Sequence, residues 1–119
     1  MAIVKICGKY YDISITTELD ISGKDLISIP KKVAKLINLK VLDCSSNPIT
    51  NLTNLPNSLI NIDCSNCLFI TNLDDLPSNL EILRCNDNNI TRLDNLPSTL
   101  RFLDCSHNQI TRLDNLPPI

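Results

Sequence analysis

From Leu80 to Pro117 the apolar and polar positions recur with a period of 20 residues. Leu80, Leu83, Cys85, Ile90, Leu93 and Leu96 are answered in order by Leu100, Leu103, Cys105, Ile110, Leu113 and Leu116. Counting from the first leucine, the apolar slots are 1, 4, 6, 11, 14 and 17, with Asn at slot 9 and Pro at slot 18. A repeat this close at this period predicts a solenoid, because one turn cannot bury its own apolar edge and must stack on its neighbours. Slots 4 and 6 alternate, which predicts a short strand with both side chains on one face. Asn at slot 9 turns the chain, its buried amide satisfying backbone groups that no ladder reaches. Slots 11, 14 and 17 carry the return limb. The expected fold is an α/β, mostly β, solenoid of about five rungs with a parallel, concave sheet.

The rest of the chain fits the same frame. Ala2 to Cys7 and Tyr10 to Ile15 alternate around Gly8-Lys9, which predicts a hairpin with a type II′ turn over residues 1–15. Placed before the first rung, such a hairpin caps its apolar edge. The solenoid then occupies 16–119, in rungs 16–38, 39–58, 59–79, 80–99 and 100–119. The first rung is longest, and Pro30-Lys-Lys-Val-Ala-Lys-Leu predicts a short helix with Pro30 at N1 and Val33 and Leu36 on one face. The third carries one added residue near Leu68 to Ile70. No polar cap follows Leu116, so the last rung exposes an apolar surface that a partner or a further stretch of chain covers.

With these residues in view, the chain resembles the leucine-rich repeat family. The Leu-Pro-x-x-Leu joints, Leu55-Pro56 to Leu59 and Leu96-Pro97 to Leu100, are similar to the short repeat class of bacterial effectors. Leucine-rich proteins of giant DNA viruses are also similar, and the Asn and Ile bias leans that way. The resemblance covers residues 16–119 and implies a protein-recognition scaffold, acting in the cytoplasm of a host cell if the chain is viral or an effector. A hairpin stands where the bacterial effectors place amino-terminal helices, and their ubiquitin-ligase domain is missing, so that activity is not implied.

Charge and composition narrow the function. A net charge of -2 and pI near 5.2 give no footprint for nucleic acid, and there is no basic aromatic patch. No apolar run approaches the roughly 20 residues of a membrane helix, and the amino end lacks a secretory signal, so no membrane association and a cytoplasmic location are expected. All seven Lys lie in residues 1–40 and all four Arg at 84 or beyond.

Candidate chemistry is sparse. Cys44, Cys64, Cys85 and Cys105 share slot 6, which makes them a ladder of small core residues. Cys67 takes slot 9, where the family accepts Asn or Cys. The Cys64-Ser-Asn-Cys67 pair thus mimics a redox or zinc motif, but a line of thiols does not converge on a tetrahedral ion. Neighbouring rungs are close enough for disulfides, although parallel side chains strain the torsion. His107 follows Cys105, yet slot 6 points inward and slot 8 begins an exposed turn, so the two diverge. With only Gly8 and Gly23 there is no phosphate loop. No enzyme activity, cofactor or metal is expected.

Binding is expected on slots 3, 5 and 7, the outward side of each strand. Column three is Glu18, Val41, Asn61, Ile82 and Phe102, and column five is Asp20, Asp43, Asp63, Arg84 and Asp104. Stacked Asp repel unless water or a basic partner intervenes, and Arg84 interrupts the stripe. The candidate protein-binding residues are therefore Asp43, Asp63, Ile82, Arg84, Phe102 and Asp104, facing a basic, partly apolar protein. The alternative is self-association through the bare last rung, at Leu113, Leu116 and Ile119, giving a homodimer if the contact closes.

Overall fold

The computed structural model describes residues 2–113 and 116–117. Two sheets account for all the strands among them. β1 (Ile3–Ile6) and β2 (Lys9–Asp12) form an antiparallel hairpin. β3 (Glu18–Asp20), β4 (Val41–Asp43), β5 (Asn61–Asp63), β6 (Ile82–Arg84) and β7 (Phe102–Asp104) follow in sequence order as one five-stranded parallel sheet. This is the mostly β solenoid that the slots predict.

The register explains the core. Leu19, Leu42, Ile62, Leu83 and Leu103 are paired in one row through the sheet. The amides of Cys44, Cys64 and Cys85 each donate to the slot 5 carbonyl of the following rung at 2.8 to 2.9 Å. Leu42, Ile62 and Leu83 are fully buried, as are Cys44, Cys64 and Cys85 and the return-limb residues Ile49, Ile70 and Ile90. Each buried Leu or Ile contributes about 1.5–3 kcal/mol relative to exposure, so stacking rather than intrinsic strand preference holds these three-residue strands.

Corners repeat as faithfully as the core. Slot 8 takes the left-handed conformation in every rung, at Gly23, Ser46, Asn66, Asp87 and His107 (φ 53 to 60°). Asn54, Asp75 and Asn95 do the same before the Leu-Pro joint (φ 60 to 67°). Small or locally hydrogen-bonding side chains tolerate this region best, which suits the Asn and Asp at five of these eight corners. At the joint itself, Leu59, Leu80 and Leu100 donate to the carbonyls of Pro56, Pro77 and Pro97 at 3.2 to 3.3 Å.

Two local expectations change. The return limb of rung one is a 3-10 helix, Lys31–Lys35, and Pro30 is its N-cap with an extended ψ of 139° rather than its first helical residue. The segment closes through bonds between residues three apart, from the amides of Val33 and Leu36 to the carbonyls of Pro30 and Val33 at 3.0 to 3.1 Å, and Val33 and Leu36 are both fully buried. In the hairpin, the loop is Cys7-Gly8, both with positive φ (49 and 84°), not Gly8-Lys9. Pairing Val4 with Tyr11 and Ile6 with Lys9 turns Val4 and Ile6 onto the first rung, and a slip of one residue would turn them outward.

Candidate protein-binding face

The outward side of the sheet places the expected columns side by side. Glu18, Val41, Asn61, Ile82 and Phe102 are register partners, and so are Asp20, Asp43, Asp63, Arg84 and Asp104. Phe102 is 47% exposed, Ile82 and Val41 are half-buried, and Arg84 is exposed. The Arg84 guanidinium carbon stands 5.1 Å from the Phe102 ring centroid, so the one cation in the column lies over the largest apolar side chain of the face. Glu81 and Arg101 flank Ile82 and Phe102, with Arg101 Nη1 3.6 Å from Glu81 Oε1.

The aspartates are not bare. In rungs one, two, three and five, Oδ1 of Asp20, Asp43, Asp63 and Asp104 accepts both the amide and the hydroxyl of the Ser two residues on. The hydroxyl bonds are 2.6 to 2.7 Å. Asp12 and Ser14 make the same pair in the hairpin. These bonds, the Ser hydroxyl foremost and the Ser amide next, hold the carboxyls of Asp12, Asp20 and Asp104 below the usual carboxylate range. One oxygen of each carboxylate therefore fixes the turn that leaves the strand, which is how a stripe of like charges is tolerated. The signal lay in the sequence as a recurring Asp-x-Ser, and rung four, with Arg84 and Asn86, lacks it.

Below the face, slot 9 forms an asparagine ladder. The amide groups of Asn47, Asn88 and Asn108 each donate to the slot 6 carbonyl of their own rung and to that of the rung before, at 2.9 to 3.1 Å. Their Oδ1 atoms accept backbone amides of the preceding rung, such as Cys67 and Leu68 on Asn88. All six cysteines are free thiols. Burial pushes the thiols of Cys44 and Cys64 far up and that of Cys85 up to about 12, so they stay protonated at neutral pH. Among the described residues no three His, Cys, Asp or Glu side chains are grouped as metal ligands, and no helix is long and apolar enough to cross a membrane.

At the far end, side chains buried elsewhere come to the surface. Leu103, Cys105 and Ile110 are half-buried, Leu113 is 66% exposed and Leu116 43%. Ile119 lies outside the described residues.

Comparison with known proteins agrees with this geometry. Residues 38–62 match the model for a Leucine Rich Repeat, and residues 78–118 match the model for Leucine Rich repeats in two copies. Among solved structures, the leucine-rich repeat domain of a Shigella effector is similar, with a TM-score of 0.76 and 30% sequence identity. The match covers 86% of this chain and 45% of that one, so this chain spans less than half the length of the effector domain chain.

Proposed function

Because this chain belongs to the leucine-rich repeat family, we propose that it is a protein-recognition module that captures a basic, partly apolar partner on the concave face of its sheet. The family is generally a non-enzymatic protein-binding scaffold, and the proposal extends that use to this chain. One observation carries it: Ile82 and Phe102 lie in register beside the column of Asp43, Asp63 and Asp104. Apolar anchors next to carboxylates suit an apolar side chain flanked by lysine or arginine, the anchors supplying affinity and the charges steering approach. Arg84, held over Phe102, divides the acidic column and sets where a cation is accepted. The likeness to a Shigella effector domain supports a host-interaction role in the cytoplasm.

The test is a pull-down from cell lysate with this chain as bait, beside a variant carrying Phe102→Ala and Asp63→Lys. Loss of the captured partner with an unchanged circular dichroism spectrum supports the reading. Capture that survives both changes refutes it.

A second reading, self-association, is favoured by the exposed apolar edge of rung five. The hairpin covers rung one with Val4 and Ile6, so head-to-tail stacking has no matching surface and an end-to-end contact closes at two copies. Light scattering that shows a monomer at every concentration removes this reading.

A further inference from the structure

Three isoleucines stand where the repeat places polar side chains. Ile27 takes slot 12, which is Thr50, Thr71, Thr91 and Thr111 in the other rungs. Ile37 lies two residues before the next rung, where later rungs have Asn57, Ser78 and Ser98, and Ile15 one residue before its rung, where Asn38, Ser58, Asn79 and Thr99 follow the pattern. Ile15, Ile27 and Ile37 are 73, 74 and 63% exposed. Folding brings two of them together: the Asn38 side-chain amide donates to the Ser14 carbonyl at 2.7 Å, which sets the end of the hairpin beside the end of the first return limb. Stacking needs none of the three, since Ile29, Val33 and Leu36 already fill the core of this limb.

Charge on the same limb has one sign. Residues 26–42 contain Lys31, Lys32, Lys35 and Lys40 and no Asp or Glu, and the adjoining residues 44–62 carry no charge. Lys31, Lys32 and Lys35 lie on the 3-10 helix between Ile27 and Ile37, are exposed, and make no ion pair among the described residues. Nearby carboxylates point elsewhere in the fold: Glu18 and Asp20 lie on the outward side of the sheet, Asp12 is in the hairpin with Oδ1 held by Ser14, and Asp25 adjoins Lys24 at the corner. Residues 1–40 hold seven Lys against four carboxylates and the remainder four Arg against nine, so the net charge of -2 conceals a basic end.

We propose that the back of rung one docks on an anionic lipid surface, with Ile15, Ile27 and Ile37 entering the interface and Lys31, Lys32 and Lys35 among the headgroups. Protruding aliphatic side chains beside lysines gain both from burial at the acyl boundary and from attraction to anionic lipid. Lysine, a compact hydrated charge on a flexible stem, suits a layer of mobile headgroups, whereas the planar fork of arginine suits a shaped protein site, and every Arg lies at 84 or beyond. A second copy of this chain would set lysines against lysines across a two-fold contact, and single-stranded nucleic acid calls for aromatic platforms that residues 26–42 lack. No helix among the described residues is long and apolar enough to cross a membrane, but a protein lies on one without crossing it. The proposal thus reverses the expectation of no membrane association, which span length alone supplied, and leaves the concave face open to its own partner.

The test is co-sedimentation of the full chain with phosphatidylcholine vesicles, with and without phosphatidylserine. Sedimentation with the phosphatidylserine vesicles alone, weakened by added salt, is expected. Lys31→Gln and Lys32→Gln each weaken it by about fivefold, and Ile37→Ser by about tenfold, with circular dichroism unchanged because these positions are exposed. Phe69→Ser, which removes a 54% exposed ring from a stretch without lysine, leaves sedimentation as it was. No sedimentation, equal sedimentation with both kinds of vesicle, or an equal loss for Phe69→Ser overturns the proposal. Binding of a polyglutamate peptide that phosphatidylserine vesicles do not displace makes the patch a site for acidic protein and overturns it as well.

Discussion

Cys67 Sγ lies 3.6 Å from the Cys44 carbonyl oxygen, in the place where the amides of Asn47, Asn88 and Asn108 make their bonds in the other rungs. A thiol donates weakly and accepts poorly, so this corner needs a neighbour that asks little of it. Elsewhere the Asn Oδ1 of one rung accepts an amide just after slot 9 of the rung before, from Leu26 on Asn47, Leu68 on Asn88 and Ile90 on Asn108. Cys67→Asn is expected to gain about 0.5–1.5 kcal/mol by urea denaturation. Asn88→Ala leaves the Cys67 and Leu68 amides without an acceptor and costs about 3 kcal/mol or more. Equal effects of the two changes would show that slot 9 does not work as a ladder.

Thiol chemistry separates the cysteines by depth. Cys7 is exposed and is expected to react quickly with a disulfide reagent, and half-buried Cys105 slowly. Cys44, Cys64, Cys67 and Cys85 are buried and wait for unfolding. Burial raises all four above the roughly 8.5 of an unfolded thiol, so the unfolded chain releases protons first as pH rises. Stability is fully present below about pH 8.5 and falls as pH climbs toward the folded values, by about 1.4 kcal/mol per pH unit for each protected thiol. Urea midpoints measured in reductant on either side of that value, at about pH 7 and about pH 10, check the slope, and Cys85→Ala makes it shallower.

Asp104 shows whether the serine bonds matter electrostatically. Its carboxyl titrates below the ordinary range because Ser106 donates twice to Oδ1. A depressed folded pKa contributes stability above the unfolded value of about 3.9, lost as pH falls through the folded one. Ser106→Ala removes the larger of the two bonds, and a carbon-detected NMR titration should place the Asp104 midpoint higher than in the parent. An unmoved midpoint would assign the depression to something other than the serine.

Capping of rung one rests on two side chains. Ile6 is 1% exposed and Ile3 53%, on opposite faces of the same strand. Ile6→Ala is expected to cost about 2–5 kcal/mol, the range for emptying a packed aliphatic site. Ile3→Ala should stay within about 0.5 kcal/mol. Thermal denaturation of the pair distinguishes a cap that seals the core from a hairpin that merely precedes it.

Rung spacing, the strands, the inward cysteines and the two outward columns were all legible in the order of residues, because burial on a stacked turn follows from periodicity along one chain. The candidate residues Asp43, Asp63, Ile82, Arg84, Phe102 and Asp104 were brought to one face by the same arithmetic. How those side chains are used emerged from the folded molecule alone. The Asp-x-Ser repeat was visible, but its meaning required the bend that carries the serine hydroxyl back to the carboxylate. Arg84 reaches Phe102 across a rung boundary, and Asn88 holds the Leu68 amide from the following rung. Each of these depends on backbone contributed by another rung, whose position no single stretch of sequence specifies.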